Sequence, residues 1–323
     1  MDELELVVSS GIGEIHAESQ TEIERLAEVC DRLDRSVHVA LRVNPSEEVA
    51  GDAMRMGGTS SPFGIDEEAL EEALARLLAH ERLTFAGIHL FTGTQILDHE
   101  ILATQYRRGI EIGRRASKQA ARALRTVDFG GGLGVPYFPG EEALNLQGLG
   151  QELATLMAEI ADDPAFAGTR FVLEPGRFLV GEAGVYVSRI TDIKVSRDKK
   201  FLIMDGGMHH HLAASGNLGM VIKRNFPAAV ATKLDVAERE TVDIVGPLCT
   251  PLDTVGRSVA LPPAEIGDLV AIFQSGAYAR AASPLGFLSH RSPPEVWADD
   301  GAHTLIRRRG DSADYLLDQP DFP

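Results

Sequence analysis

The stretch VDFGGGLGVPY, Val127–Tyr137, sets three glycines directly after a short β-branched run and a fourth at Gly134. A strand that ends in so much bare backbone is either a tight turn or a place where main-chain N–H groups meet an anion with no Cβ in the way. Its neighbours carry the same signal. FAGIHLF ends at His89 and Phe91, VHVALRVN ends at Asn44, and RFVLEPG runs into the EPGR of Glu174–Arg177. Unusual residues that gather where strands end are the mark of α/β barrels and open α/β sheets, which build their sites there.

Between these strands lie helix-like runs. SQTEIERLAEVCDRL opens with a capping-box pair, Ser19 and Glu22, and repeats apolar residues at Ile23, Leu26, Cys30 and Leu33. DEEALEEALARLL has Asp66 as its candidate N-cap, a third helix is predicted from about Asp98 to Leu124, and a fourth from Leu146 to Ala161. With EIHAES and TVDFGG the strands number five, apolar on both faces and separated by helices, which predicts a parallel sheet with covered faces. After about Gly181 the texture changes to period-2 alternation in GVYVSRITDIKVSRDKKFLIMDGG and to short runs bounded by Gly, Pro and Asp. The expected organisation is therefore a (β/α) domain over 1–180 and a mainly antiparallel β domain over 181–323, with RRRGDSADYLLDQPDFP as a surface extension.

Composition narrows the function. Of the 323 residues 44% are hydrophobic, and 48 acidic against 31 basic residues give a net charge of -17. That balance argues against a phosphate backbone or an anionic membrane as partner. The two cysteines, Cys30 and Cys249, make no disulfide framework, which points to a reducing compartment. No apolar run reaches the roughly 18 residues of a membrane span, and the acidic N-terminus does not resemble a signal peptide. A soluble, cytoplasmic protein is expected.

Seven segments in order carry a family resemblance: MGGTSSPFGID, GIHLFTGTQ, VDFGGGLGVPY, LEPGRFLVGEAG, MDGGMHHHLAASGN, VGPLCTPLD and SGAYARAASPLGFLSH. Together they resemble the fold-type III pyridoxal-phosphate decarboxylases, the family of ornithine and diaminopimelate decarboxylases. DGGMHHHLAASGN and GPLCTPLD are similar to the branches that are exosortase-associated or act on carrier-protein-bound glutamate. The resemblance implies an (β/α)8 barrel of the TIM type followed by a C-terminal β domain, pyridoxal 5'-phosphate as cofactor, and a homodimer with shared active sites. It implies a small-molecule or carrier-protein-bound amino acid as substrate.

By the same resemblance Glu174, in its Pro175-containing loop, holds the pyridine nitrogen protonated. Gly132, Gly176, Arg177, Tyr278 and Thr94 bind the phosphate, and Phe91 stands where many relatives carry a histidine that stacks on the ring. Cys249 reprotonates the α-carbon from the partner subunit, and His210, Asn217 and Thr250 line the substrate pocket. Taken alone, Cys249 reads as a buried hydrophobe and GGGLG equally as a plain turn or a phosphate cradle, while EPGR offers an arginine for phosphate and a carboxylate in need of a partner, with a solvated loop as the alternative. Cys30 reads as core. His209–His211 tempt a metal assignment, but adjacent residues point in different directions, so none is expected.

One expected residue is not found. The family's Schiff-base lysine lies on an early strand in an AVKAN-like setting, whereas the lysines here are Lys118, Lys194, Lys199, Lys200, Lys223 and Lys233. Five strands also fall short of the eight of a closed barrel. The reading is that about three βα units with the lysine are missing, so that this chain alone is inactive and its open sheet edges make it aggregation-prone. A fragment, a split protein and a non-catalytic binding relative all remain open, and intact motifs beside a missing block favour the fragment. Substrate clues are negative. Thr250 and Pro251 follow Cys249 where relatives place Glu or Asp, and no arginine occurs in HHHLAASGN. A substrate with a neutral or tethered distal end fits that loop.

Overall fold

The computed structural model describes residues 1–46, 54–55, 60–218, 220 and 223–320, so Met56–Thr59 at the head of MGGTSSPFGID lie outside the described residues. It divides into two units, Met1–Pro136 with Glu142–Gly176, and Tyr137–Glu141 with Arg177–Pro323.

In the first unit β1 (Ile15–Ala17), β2 (Val37–Asn44), β3 (Leu83–Leu90), β4 (Thr126–Asp128) and β5 (Arg170–Val172) form one sheet. They are hydrogen-bonded in that order and every pair is parallel. An order that follows the chain without reversal is that of a β/α barrel, since a doubly wound sheet reverses direction at a switch point. The two-residue strand Ile65–Asp66 also pairs with β2. Burial explains the strand composition: Leu41, Ile88 and Val127 are wholly buried, as are Leu26, Leu74, Leu102 and Ile112 on the helices. Apolar residues on both strand faces are what a sheet covered on both sides demands.

The helices among the described residues are α1 (Asp2–Ser9), α2 (Gln20–Leu33), α3 (Leu70–Leu78), α4 (His99–Ala120), α5 (Leu146–Glu159) and the short α6 (Gly176–Val180). α2 begins as the sequence predicts, Ser19 accepting the N–H of Glu22. The Glu22 carboxylate reaches one residue further back than a capping box requires, to the N–H of Glu18. Cys30 is fully buried on this helix. Asp66 is a correction. It makes no side-chain cap, and α3 starts only at Leu70 after a 3-10 turn. Its carboxylate instead accepts from the Asn44 side chain at 2.9 Å, a bond between strand ends.

The second unit holds β6 (Tyr186–Ser196), β7 (Lys199–Met204), β8 (Ala228–Val230), β9 (Glu240–Val245), β10 (Thr254–Leu261) and β11 (Leu269–Ile272). The sheet order is β8-β11-β6-β7-β9-β10, antiparallel throughout except for the parallel pair β7–β9. A separate hairpin joins Glu295–Asp299 to Ala302–Arg307. The expected extension after it is tied down in part: a 3-10 turn at Ser312–Leu316 carries a capping box between Asp311 and Asp314, and Tyr315 donates to the carbonyl of His290. Tyr137 belongs here through its ring contacts with Phe226 and Arg177.

Candidate active site

Parallel strands bring their C-terminal ends to one side, and there the first unit gathers its polar residues. His16 on β1 and His89 on β3 stack with ring centroids 4.8 Å apart. Asp128 ends β4, and its Oδ1 accepts the N–H of Gly130 at 2.9 Å. Glu174 follows β5, half exposed, with its Oε2 3.6 Å from Nε2 of His89. Glu14 backs His16 at 3.3 Å and accepts from the hydroxyl of Thr126 at 2.8 Å.

Burial and charge set the ionisation of this group. Burial pushes His89 down to about 3, helped by the charges of His16 and Arg42, and neither ring nitrogen has a hydrogen bond. Asp128 is lifted to about 6, chiefly by burial and further by Glu174, against the pull of the Gly130 amide. The bond to Glu14 holds His16 above the usual imidazole range in spite of burial. His16, His89 and Asp128 offer donor atoms that all lie within 4.8 Å of one another, a set that can ligate a cation. Zinc bound by nitrogen at about 2.0–2.1 Å needs ligands roughly 3.4 Å apart, so the set would have to contract to hold one.

The glycine run is explained first by packing. A Cβ on Gly130, whose φ is +68°, would lie 2.4 Å from the carbonyl oxygen of Leu90, and one on Gly131 would lie 2.6 Å from that of Glu174. The loops after β3, β4 and β5 therefore meet backbone to backbone. Among the described residues the N–H groups of Gly131 and Gly132 have no protein acceptor. Gly176 donates back to the carbonyl of Glu174 at 2.8 Å, and nothing lies within 4 Å of its Cβ position. Phe91 touches the Cβ positions of Gly130 and Gly131, and Arg42 lies 6.0 Å from its ring centre. Thr94 sits in the two-residue strand beside Gly93, whose carbonyl faces Gly132. Phe91, Thr94, Gly132, Glu174, Pro175 and Gly176 thus share one strand-end region.

The other sequence-derived residues lie in the second unit. Arg177 sits over the rings of Tyr137 (5.5 Å) and Tyr278 (4.6 Å), and bonds to the Tyr137 hydroxyl at 3.1 Å. Cys249 is exposed, with Thr250 beside it. Asn217 reaches this loop by donating to the carbonyl of Leu252 at 3.1 Å. The loop is held by a residue the sequence reading passed over, Asp253, only 2% exposed. Its carboxylate accepts the N–H groups of Met208 (2.6 Å) and Leu248 (2.9 Å) and so ties MDGGMHHH to VGPLCTPLD. Burial raises its pKa even though both amides favour the charged form. Gly207 and Gly246 flank it, and a Cβ on either would come within 2.2 Å of its oxygens. Two glycines and an Asp at the ends of the two motifs were the signal in the sequence.

The histidine triplet diverges as adjacent residues must. His210 donates from Nε2 to the carbonyl of Arg291 at 2.8 Å, which leaves Nδ1 to accept from Tyr186. His211 accepts the Ala214 amide at Nδ1 and donates from Nε2 to Ser275. His209 has no hydrogen bond and lies against the rings of His210 and His290. Both nitrogens of His210 are committed to protein, so its contribution to a pocket is apolar surface.

These buried rings give a pH dependence with a definite sign. Burial holds His209 near 3 and His211 near 4, as it holds His89 near 3. The unfolded chain protonates all three near 6.5, so it binds more protons as pH falls, and stability drops by on the order of 1.4 kcal/mol per pH unit for each. Asp128, raised to about 6, works the opposite way below that pH, as do the raised His16 and Asp253, while His38 and His210, lowered by burial, add to the three. The urea midpoint is expected to fall clearly between pH 7 and pH 5. An unchanged midpoint would contradict neutral, buried histidines.

The pyridoxal-dependent decarboxylase family, in its pyridoxal binding domain, matches residues 1–181. The chain is 37% identical over 320 residues to the L-glutamyl-[BtrI acyl-carrier protein] decarboxylase of Niallia circulans, covering 98% of this chain and 74% of that one. It is 30% identical to the diaminopimelate decarboxylase of Zymomonas mobilis, over 98% and 72%. The crystal structure of diaminopimelate decarboxylase from M. jannaschii in complex with L-lysine superposes with a TM-score of 0.87 at 25% identity, covering all of this chain and 72% of that one. Among the described residues no helix is long and apolar enough to cross a membrane. A sequentially ordered parallel sheet with its polar residues at the strand ends, a β unit after it and these likenesses lead to one assignment: the chain belongs to the fold-type III pyridoxal-phosphate-dependent decarboxylases.

Proposed function

We propose that the chain serves decarboxylation at the α-carbon of an aminoacyl group with a tethered or neutral distal end, a glutamyl group on a carrier protein being the best candidate. One observation carries this reading. The only carboxylate in the loop around Cys249 is Asp253, and it is buried and spent on two backbone amides. Thr250 and Pro251 leave the thiol with neutral neighbours. A free diamino acid brings a distal ammonium, which calls for a carboxylate or an equivalent acceptor. The Niallia circulans relative, by its name, acts on a glutamyl group attached to a carrier protein.

The residues fit pyridoxal phosphate on chemical grounds. Glu174 is a half-exposed carboxylate at a strand end, beside a buried histidine without hydrogen bonds. Gly131 and Gly132 offer two free N–H donors in a loop where side chains are excluded. Arg177 keeps an Nε without a partner. Glu174 would hold a proton at the ring nitrogen and Phe91 would cover a ring face. The Gly132 amide, Thr94, Arg177 and Tyr278 would hold the phosphate, with Gly176 giving room for it. The cofactor, when bound, supplies an electron sink for the pair left at the α-carbon. Cys249 would return a proton to that carbon from its thiol, in a homodimer with shared sites, with His210, Asn217 and Thr250 lining the pocket.

The test is a binding comparison by calorimetry. A glutamyl-loaded carrier protein is expected to bind at least about tenfold tighter than free diaminopimelate, a difference of ~1.4 kcal/mol. Tighter binding of diaminopimelate would reverse the substrate assignment.

A further inference from the structure

We infer that Asp128, with His89 and His16 around it, is the ionic backing of Glu174 and determines how strongly the chain holds a ring nitrogen. The inference rests on the cofactor reading above and adds positioning residues to it.

Glu174 alone is loosely fixed. Its side chain is half exposed, and Nε2 of His89 stands 3.6 Å from its Oε2, beyond hydrogen-bonding distance. What stands behind it is buried and ordered. Asp128 is 3% exposed and His89 7%. The Asp128 carboxyl lies within 4.8 Å of a ring nitrogen of His89, whose Nε2 is itself 3.6 Å from Glu174, and one Asp128 oxygen is anchored by the Gly130 amide at 2.9 Å. His89 lies between the ring of His16 and the Glu174 carboxylate.

The charges make the arrangement purposeful. Glu14 and His16 pair at 3.3 Å, and with His16 protonated they account for one charge of each sign. His89, kept neutral by burial, contributes none. That leaves Asp128 and Glu174 as two neighbouring carboxylates without a counter-charge of their own. Neighbouring carboxylates repel one another, and a cation that arrives beside them relieves the repulsion. A protonated ring nitrogen arriving at Glu174 relieves that repulsion, so part of the grip on the nitrogen belongs to Asp128. This charge is felt through Glu174, which makes Asp128 a positioning residue.

The experiment is equilibrium dialysis of the full chain with pyridoxal phosphate and with its deaza analogue, in which a ring CH replaces the nitrogen. Asp128→Asn keeps the shape and the acceptor for the Gly130 amide but removes the charge. It is expected to weaken binding of pyridoxal phosphate about fivefold while leaving the deaza analogue within about twofold. Equal weakening of both compounds would reduce Asp128 to a loop anchor and overturn the inference, as would no change in either. Wild-type chain that binds neither compound overturns the cofactor reading itself, a different failure. His89→Gln supplies a second case. It removes no charge, so it should treat the two compounds alike, and a nitrogen-dependent loss as large as that of Asp128→Asn would overturn the assignment of the effect to the Asp128 charge.

Discussion

Replacing Cys249 with alanine is expected to cut formation of the amine product by about 10²–10⁴-fold in the active enzyme, the usual worth of a positioned proton donor. Release of carbon dioxide needs the electron sink and Glu174 but no thiol, so it should persist at a slower rate and part company with amine formation. Cys249→Ser should behave much the same, because an alcohol is a far weaker acid than a thiol. The structure adds a chemical version of the experiment. Cys249 is exposed whereas Cys30 is wholly buried, so a limiting thiol reagent should modify Cys249 alone and abolish amine formation in step with modification. If the site is shared between subunits, mixing Cys249→Ala with Glu174→Ala restores one intact site in each hybrid dimer, about a quarter of the wild-type number after random exchange. Undiminished amine yield from Cys249→Ala would return the thiol to a packing role.

Asp253→Ala is expected to be the most destabilising single change in the second unit. It strips the acceptors from two backbone amides in a buried place and leaves a cavity between two glycines. Hydrogen bonds to a charged acceptor contribute about 1.5–3 kcal/mol each, so the loss is about 3–6 kcal/mol. Asp253→Asn keeps one acceptor oxygen and should lose about half of that. The measurement is the denaturation midpoint together with the alkylation rate of Cys249, whose loop is released when its tie to MDGGMHHH is cut. A midpoint within 1 kcal/mol of wild type in Asp253→Ala, by the scale of surface substitutions, would mean the loop is held by other contacts.

The five strands and the change of texture near Gly181 were legible because burial on both strand faces leaves an unbroken β-branched signature, as in VHVALRVN. The position of α2 was equally clear from Ser19, Glu22 and its apolar spacing. The parallel pair β7–β9 was not, since alternation has the same period in parallel and antiparallel strands. Asp66 misled because Asp before a helical run is a good cap by type, and only the neighbouring strand end reveals that Asn44 claims its carboxylate. At the site, Glu174, Phe91 and the glycines stand out by being odd where a strand should end. His16, Asp128 and Asp253 do not, because a single polar residue in an apolar run has many uses, and only three-dimensional neighbours choose among them. The lysines tell the same story from the other side: Lys199, Lys200 and Lys233 pair with Asp243, Glu240 and Asp268 within the second unit, and Lys118 lies in the last turn of α4.

The tie made by Asp253 has an evolutionary consequence. Because one inward carboxylate fixes the course of the Cys249 loop, with a lesser bond from the Leu252 amide to the Thr250 hydroxyl at 3.2 Å, the side chains at 250 and 251 carry the smaller share of the burden of folding. A descendant can exchange them for acidic or bulky residues and meet a new substrate while the thiol stays where it was. Substrate preference in such a scaffold can drift by two codons, and inheritance of the chemistry is separated from inheritance of the diet.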